Sequence, residues 1–251
     1  MSKTFIILAA GMGVRADSKS LNCPKVLLKA ANGQSLLVNI LEKIRQSHPA
    51  GTPVRVVAGF LHQQVVEEVN AYCALNPLAR IDVVYNEIYE RGVITSLYHG
   101  IRDVNSDVVI LNGDTYYPDG LFSNLTGMMR SSLLVLPPDD QPDSVRVLTA
   151  GNWIAQVGKR LPVSQYISTG CLFLNRRYTR LTEGLLLDLI ERDAFAGMIW
   201  HNLINLLIQK GKKIAFKLID TGKIFEIDTK EDYQSFLQDM PNNTNESQGI
   251  F

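Results

Sequence analysis

The sequence has few of the features that mark secreted, membrane-spanning or metal-stapled proteins. Its 251 residues include only three cysteines, which are far apart and show no Cys-x-x-Cys spacing. Such cysteines predict reduced thiols in a cytoplasmic protein. The apolar run Phe5–Ala10 is too short for a secretory signal, and no segment approaches the ~20 apolar residues of a membrane span. We therefore expect a cytoplasmic protein that is not attached to a membrane.

The chain also has no excess of charge of either sign, because 25 lysines and arginines balance 25 aspartates and glutamates. A neutral total gives no support for bulk binding to nucleic acid or to an anionic membrane. Any recognition of an anion must be local. No Gly-x-x-x-x-Gly-Lys-[Ser/Thr] loop is present, which excludes the P-loop NTPases. The four histidines share no metal-ligand spacing and are expected on the surface or on helix faces.

What the sequence does contain is an alternation of strand-length apolar runs with helical patterns. The runs are typical of strands buried on both faces, and they are Phe5–Ala9, Val54–Gly59, Ile81–Tyr85, Val108–Asn112 and Leu133–Leu136. Apolar residues at three- and four-residue spacing predict helices over Ser35–Arg45, Gln63–Ala74 and Ser96–Val104. This alternation predicts a Rossmann-like α/β fold, with a mixed, mostly parallel sheet and helices on both faces.

The second half of the chain is less regular. Two short runs around Ala150-Gly151-Asn152 predict a small β-hairpin insertion, Val145–Thr149 with Trp153–Val157. Further strands are predicted over Tyr166–Leu174 and Ile214–Ile219, and further helices over Leu181–Glu191 and Met198–Lys210. We expect one domain over residues 1–240, followed by a disordered polar tail over residues 241–251.

The strongest local pattern follows the first strand. It reads Leu8-Ala9-Ala10-Gly11-Met12-Gly13-Val14-Arg15, and eight residues later comes Pro24-Lys25. A strand that ends in small residues can turn sharply and present backbone N–H groups to phosphate oxygens, which glycine allows to approach closely. Arg15 can fork onto phosphate oxygens, and Lys25 supplies a compact positive charge. The pattern predicts a nucleotide-phosphate site over residues 8–13, with Arg15 and Lys25 as catalytic cations.

A dinucleotide-binding fold is the rival interpretation, because Gly11-x-Gly13-x-x-Ala16 formally fits its fingerprint. That fold requires a compact unit of ~30 residues that ends in an acidic residue. Here the next predicted strand starts near Val54 and ends at Gly59 without a carboxylate. The spacing therefore disfavours a dehydrogenase.

The segment from Leu8 to Arg15, together with Pro24-Lys25, resembles the signature of the sugar-phosphate and alcohol-phosphate nucleotidyltransferases, the MobA-like type. The resemblance implies an enzyme that joins the nucleoside monophosphate of an NTP to a phosphorylated acceptor. It also implies that Arg15 grips the outer phosphates of the nucleotide. Lys25 would then bridge the donor and acceptor phosphates.

Such a reaction brings two anions together, at a cost of about 4 kcal/mol per charge pair ~4 Å apart at an effective dielectric constant of 20. A divalent cation, Mg²⁺, is therefore expected, held by one or two carboxylates and by substrate oxygens. Asp114 directly follows a predicted strand, in Asn112-Gly113-Asp114. Glu226 and Asp228 would share one face of an extended segment. Asp228 could also cap the helix predicted over Thr229–Leu237, either in place of the metal role or in addition to it.

The resemblance also implies metal-binding aspartates at these two places, with Asn112 and Gly113 beside the nucleotide. The segment Phe225–Tyr233 is particularly similar to the phosphocholine cytidylyltransferase branch of the family. The chain departs from that branch at one position. It has Asn112-Gly113-Asp114 where the branch often has Asp-x-Asp.

The nucleotide base and the acceptor are less clearly specified. In the choline- and phosphonate-type cytidylyltransferases, a stretch similar to Asn86–Leu97 borders the pocket, so Asn86 and Ser96 are candidate nucleotide contacts. Thr95 or Ser96 could equally be a helix cap. Resemblance also suggests Lys159 as a second phosphate-binding lysine, although it could be an ordinary surface residue. Four aromatic residues could form a surface that binds a quaternary ammonium group by cation–π contact, or could simply pack in the core: Tyr116, Tyr117, Tyr166 and Trp200.

From the sequence we therefore expect a CTP-dependent transfer of CMP to a small phospho- or phosphono-alcohol or amine, with release of pyrophosphate. A sugar-1-phosphate nucleotidyltransferase and a catalytically inactive nucleotide-binding subunit are the alternatives. The sequence leaves the oligomeric state open, with a homodimer as one option.

Overall fold

A computed structural model describes residues 3–13, 22–141, 143–220 and 222–239. Arg15 and the predicted tail lie outside these ranges. The strands are β1 (Lys3–Ala9), β2 (Pro53–Ala58), β3 (Arg80–Tyr85), β4 (Asp107–Asn112), β5 (Thr115–Tyr116), β6 (Ser132–Leu136), β7 (Arg146–Ala150), β8 (Trp153–Gly158), β9 (Tyr166–Leu174), β10 (Ala215–Leu218) and β11 (Phe225–Glu226). The helices are α1 (Leu36–Ser47), α2 (His62–Leu75), α3 (Val93–Ile101), α4 (Arg176–Glu191), α5 (Asn202–Gln209) and α6 (Lys230–Asp239). None of these helices is long and apolar enough to cross a lipid bilayer.

Nine strands form one mixed sheet in the order β3-β2-β1-β4-β9-β6-β10-β8-β7. The strands β3, β2, β1 and β4 are parallel, as are β6 and β10, whereas β9 and the β7–β8 hairpin pair antiparallel to their neighbours. This confirms the mixed α/β fold. Because β1 lies between β2 and β4, the strand order reverses there. In open α/β sheets such a point is where ligands bind, outside the carboxyl ends of the strands.

The hydrophobic core lies on both faces of the sheet, because successive side chains of β1 point to opposite faces and both sets are buried. Phe5 and Ile7 pack on one face with residues of α1 and α2. Ile6 packs on the other face with residues of α3 and α5. All six residues of β4 are buried, as expected for a central strand covered by helices on both sides.

Two helices near the carboxyl ends of the strands differ from the predicted ranges. The helix α3 begins three residues earlier than predicted, because Gly92 has φ of 122°, which glycine adopts without strain, and the helix can start immediately after it. The helix α5 begins at Asn202 rather than Met198, and the Asn202 side chain accepts a hydrogen bond from the Ile199 N–H at 2.8 Å. Consequently Trp200 and His201 lie on a loop and not on a helix face.

The predicted hairpin is confirmed, and it joins the main sheet. Trp153 of β8 pairs with Ala215 of β10, and Arg146 of β7 pairs with Ile167 of β9. The first residues of β9 extend beyond the carboxyl end of β4, since the pairing of these two strands ends at Leu111 with Cys171. The hairpin therefore forms a side wall next to the end of β4.

The C-terminal segment returns to the end of β4. There β11 pairs with β5, Glu226 opposite Thr115, and Ile227 donates its N–H to the Asp114 carbonyl at 2.9 Å. The cap of α6 is Thr229, whose Oγ1 accepts the Asp232 N–H at 3.1 Å, while the Asp232 carboxylate accepts the Thr229 N–H at 2.7 Å. The capping alternative for Asp228 is therefore wrong.

Candidate active site

The loop after β1 lies against the ends of β2 and β4. Gly113 donates its N–H to the Leu8 carbonyl at 3.0 Å. A Cβ on Gly113 would lie 2.6 Å from the Leu8 oxygen, and a Cβ on Gly59 would lie 2.8 Å from the Ala10 oxygen. Both positions therefore require glycine. This close packing leaves Leu8, Ala10 and Gly11 lining a cleft at the carboxyl edge of the sheet.

The loop has open space beside Gly11. Apart from the two chain neighbours of Gly11, no described residue has a heavy atom within 4 Å of the point where a Cβ of Gly11 would be, and Gly13 has φ of 56°, in the left-handed region. Ala9 is buried in the core instead of lining the cleft. In the described part of the loop, which ends at Gly13, the open space and the left-handed glycine would allow an anion to approach the backbone N–H groups. Arg15, the other predicted phosphate contact, is outside the described residues.

The Lys25 ammonium lies between Asp114 and Asp228. Its Nζ is 2.8 Å from Asp228 Oδ1 and 3.4 Å from Asp114 Oδ2, and no more than 28% of any of the three side chains is exposed. Burial lowers the pKa of Lys25, but the two carboxylates raise it by more, so the ammonium stays charged. Burial also raises the pKa of Asp114, an effect that Lys25 opposes. One charged centre therefore joins three segments that are distant in sequence.

Glu226 lies beside this centre and is held by Asn112. Asn112 Nδ2 donates to Glu226 Oε1 at 3.3 Å, and Asn112 Oδ1 accepts a hydrogen bond from Trp200 Nε1 at 2.6 Å. Desolvation of its carboxyl group where it faces the other carboxylates, together with the charges of Asp114 and Asp228, raises the pKa of Glu226 above its usual value. The Asn112 amide therefore connects Glu226 to Trp200.

Asp114 and Asp228 have the donor chemistry that Mg²⁺ prefers, namely carboxylate oxygens. Within the part of the chain that the structure describes, no three His, Cys, Asp or Glu side chains are grouped so that they could enclose a metal. Glu226 thus does not extend the pair of aspartates to a three-residue cluster. Because Mg²⁺ is usually held by one or two carboxylates with substrate phosphates and water, the two aspartates fit an ion that binds together with a nucleotide.

Asn86 and Ser96 meet at the start of α3. Asn86 is fully buried, and its Nδ2 donates to Thr95 Oγ1 at 2.9 Å and to Ser96 Oγ at 3.0 Å. Ser96 lines the cleft, whereas Asn86 lies behind it. The N-cap of α3 is Gly92, which has no side chain, so neither Thr95 nor Ser96 is the cap.

The opposite wall comes from the hairpin and from the loop before α5. Lys159, just after β8, lines the cleft and makes no hydrogen bond or ion pair with any other described residue. His201 is buried, and its Nε2 is 2.8 Å from Ser168 Oγ. Burial, assisted by Lys159, lowers the pKa of His201 to about 3, so its imidazole is neutral. The expectation that His201 lies on the surface or on a helix face was wrong, because the loop before α5 turns this residue inward.

Several lining residues could not be identified from the sequence. Val145 and Ile199 contribute apolar surface to the cleft. In a sequence such residues are indistinguishable from core positions. Tyr89 also lines the cleft, and its only sequence signal is its place in the stretch that resembles the cytidylyltransferases.

The four aromatic residues proposed as a cation-binding surface do not come together. Tyr117 is fully buried, and its Oη donates to the Gly170 carbonyl at 3.1 Å. Tyr116 packs against Phe236 of α6, and Tyr166 packs against Phe216 of β10. Only Trp200 lines the cleft. The aromatic-surface hypothesis is therefore wrong for Tyr116, Tyr117 and Tyr166, which are packing residues.

The cleft has a volume of about 370 Å³. A second cleft of about 320 Å³ lies near the amino ends of β2 and β3, between α1 and α2, and is lined mainly by apolar side chains. Of these two clefts, the first is lined by residues that follow β1 and β4 and by Asp114 and Asp228, which hold Lys25 between them. We therefore place the chemistry there.

A profile of the MobA-like NTP transferase domain matches residues 5–165. The chain belongs to this family. The match begins within β1 and ends just before β9, so it includes the β1 loop, Lys25 and Asp114. As a MobA-like NTP transferase, the chain is a nucleotidyltransferase, an enzyme that transfers a nucleoside monophosphate from a nucleoside triphosphate. No curated protein sequence matches the chain.

Solved structures with the same fold include several nucleotidyltransferases. CTP:phosphocholine cytidylyltransferase from Streptococcus pneumoniae has a TM-score of 0.77 and 20% identity, over 95% of this chain and 99% of that one. The inositol-1-phosphate CTP transferase from T. maritima has a TM-score of 0.74 and 19% identity, over 95% of this chain and 97% of that one. A nucleoside-diphosphate-sugar pyrophosphorylase from Vibrio cholerae RC9 has a TM-score of 0.71 and 22% identity, over 93% of this chain and 99% of that one. At these identities the likeness establishes the fold alone, and the substrates in the names of these enzymes differ from one to the next.

Proposed function

We propose that this nucleotidyltransferase transfers CMP from CTP to a small acceptor that carries a phosphate or phosphonate group, such as phosphocholine or aminoethylphosphonate. The acceptor oxyanion attacks the α-phosphorus in line, and pyrophosphate leaves. The observation that carries this proposal is the Lys25 ammonium held between Asp114 and Asp228, beside the glycine-containing loop after β1. No protein nucleophile is required, because the acceptor supplies the attacking oxygen.

Catalysis would consist mainly of positioning and charge neutralisation. The backbone from Gly11 to Gly13 and the Arg15 guanidinium hold the triphosphate. The Lys25 ammonium contacts the donor and acceptor phosphates and stabilises the charge that develops at the α-phosphorus. Held by Asp114 and Asp228, Mg²⁺ would offset the repulsion between the two anionic substrates.

The choice of CTP rests on the segments Asn86–Leu97 and Glu226–Tyr233, which resemble those of the cytidylyltransferase branch. Two of the solved structures with this fold are of enzymes named for their use of CTP. Ser96 and Tyr89 both line the cleft. Tyr89 lies against Gly59, which also faces the Ala10 carbonyl of the β1 loop, so the nucleoside would be held on this side.

The hydrogen bonding of the opposite wall favours a compact acceptor over a sugar. Trp200 and His201, which belong to that wall, each already have a hydrogen-bond partner within the protein. A buried sugar would need a partner for each of several hydroxyl groups, since an unpaired buried hydroxyl is costly. Lys159, which has no described partner, could bind one anionic group. This arrangement supports an acceptor with one phosphate or phosphonate and few hydroxyls.

A matrix of four NTPs against phosphorylated acceptors, with pyrophosphate as the readout, tests the proposal. We expect the highest rate with CTP and either phosphocholine or aminoethylphosphonate, and a requirement for Mg²⁺. A preference for a sugar 1-phosphate would instead identify the sugar-nucleotide alternative. Nucleotide binding without pyrophosphate release from any pair would favour a catalytically inactive subunit.

A further inference from the structure

Trp200 lies on the loop before α5, in the wall of the cleft where the acceptor would bind. It is 5% exposed, and its indole ring stacks on His201 with ring centroids 3.8 Å apart. Its Nε1 donates to Asn112 Oδ1 at 2.6 Å. The loop that forms the wall is thereby connected to the end of the central strand β4.

The indole of Trp200 determines which way the Asn112 amide faces. An indole N–H can only donate, whereas an amide has one end that accepts and another that donates. The oxygen of Asn112 must therefore face Trp200, which directs the NH₂ group to Glu226 Oε1 at 3.3 Å. In the opposite orientation the NH₂ would meet the indole N–H, and the amide oxygen would face a carboxyl group.

Asn112 is also held from its other sides. Its backbone N–H donates to Tyr117 Oη at 3.1 Å. At Gly170, which has φ of 73°, a Cβ would lie 2.8 Å from Asn112 Nδ2, so only glycine leaves room for the amide. The orientation of the Asn112 amide is thus set by its hydrogen bonds to Trp200 and Glu226, and the side chain has little room to move.

We infer that Trp200 is a positioning residue, which acts through Asn112 to hold Glu226 and the segment that carries Asp228. Glu226 is two residues from Asp228, and the backbone between them is tied to β4 by the Ile227 N–H bond to the Asp114 carbonyl. This inference deepens the proposed function and rests on it. It makes the acceptor wall and the carboxylates parts of one hydrogen-bonded unit.

Trp200→Phe tests the inference, because it removes the N–H and keeps most of the aromatic ring. We expect a fall in kcat of ~10-fold with the KM for CTP changed less than ~2-fold, since loss of a residue that orients a ligand-bearing group typically costs 10–100-fold. The control is Trp153→Phe. Trp153 is the other tryptophan, its ring lies under the Lys213 ammonium at the hairpin, and it does not line the cleft.

A double-mutant cycle separates positioning through Asn112 from a general effect on packing. In an Asn112→Ala background, Trp200→Phe should lower kcat by less than ~2-fold, because the link is already broken. Independent losses that multiply in the double variant would overturn the inference. So would a Trp200→Phe enzyme with the turnover of the wild type.

Two further measurements do not depend on the acceptor or on turnover. With CTP present, Trp200→Phe should weaken Mn²⁺ binding ~10-fold, measured by the loss of the free-ion EPR signal. In ¹⁵N-labelled protein, the Trp200 indole N–H resonance should move upfield in Asn112→Ala and not in Asn105→Ala. If the wild type releases no pyrophosphate from any substrate pair, the proposed function fails, and these two measurements decide the inference. An unchanged Mn²⁺ affinity or an unmoved resonance would overturn it.

Discussion

At the level of single residues, Lys25 lies within hydrogen-bond distance of two carboxylates that would otherwise repel each other. At 2.8 Å from Asp228 and 3.4 Å from Asp114, it holds both in place while its own charge is maintained by them. In the proposed function, the same ammonium also contacts the substrate phosphates. Its loss would therefore remove both a structural counter-charge and the proposed stabilisation of the transition state.

Lys25→Ala and Asp114→Ala should each reduce turnover by at least ~100-fold. Pyrophosphate release under saturating substrates measures the effect, and circular dichroism checks the fold. Lys29→Ala and Asp119→Ala are matched controls, because both side chains are largely exposed and form ion pairs elsewhere, with Glu68 and Lys43. Rates like those of the wild type in either test variant would remove that residue from the mechanism.

Gly113 matters because there is no space for a side chain at its position, and not because of any charge. Gly113→Ala would place a methyl group 2.6 Å from the Leu8 carbonyl oxygen and should destabilise the protein by about 1–3 kcal/mol. Gly184→Ala is the control, since a Cβ on Gly184 in α4 would have no atom of a described residue outside its own helix backbone within 4 Å. Alanine there should be neutral or stabilising by up to ~1 kcal/mol. Urea denaturation measures both. Equal stability of the two variants would contradict the close contact.

At the level of elements, the C-terminal segment depends on a short cap. Thr229 and Asp232 exchange hydrogen bonds at the start of α6, and Asp232 also accepts the Asp228 N–H at 3.0 Å. This arrangement fixes the backbone that carries Asp228 next to Lys25. A helix that is only one turn from the site therefore contributes to the geometry of the site.

Thr229→Ala should lower the free energy of unfolding by about 1 kcal/mol, the usual effect of losing an N-cap side chain. Ser235→Ala, at an exposed position inside α6, should change it by less than ~0.5 kcal/mol. Thermal and urea denaturation give the values. A loss in the control as large as that in Thr229→Ala would argue against the cap.

At the scale of the whole molecule, stability should fall in acid, because some histidines are held neutral in the folded protein. His48 packs edge-on against Phe5, and burial, together with the nearby Lys3 charge, lowers its pKa to about 4. In the unfolded chain its pKa is ~6.5. Between these values the unfolded state binds a proton that the folded state does not, so stability is retained above pH 6.5 and declines towards pH 4.

His48→Gln should therefore reduce the slope of unfolding free energy against pH by up to ~1.4 kcal/mol per pH unit between pH 6 and 4.5. His62→Gln is the control, since His62 stacks on Tyr85 at the surface. Urea denaturation at several pH values measures the slope. The same slope in His48→Gln and in the wild type would show that His48 is not held neutral.

The local chemistry of the sequence was enough to predict much of the fold. Short Val-, Ile- and Leu-rich runs identified β1 to β4, and three- and four-residue spacing identified α1 and α2. These patterns are local, because strand and helix periodicity is set by neighbouring residues. Gly11, Gly113 and Asp114 were identifiable for a related reason. They directly follow buried parallel strands, and such strand ends converge at one edge of the sheet.

Only the tertiary structure decided which side chains meet. Lys25 and Asp228 are 203 positions apart, and their contact depends on the return of β11 to the end of β4. Trp200 and Asn112 are likewise distant in sequence and meet only in the folded protein. Tyr116 packs against Phe236 of α6 instead of lining the cleft, which the sequence around Tyr116 does not show. The alternation of residues along a segment specifies which way a side chain points from its own element. Its partner is specified only when distant elements have packed, because that contact depends on the pairing and packing of both.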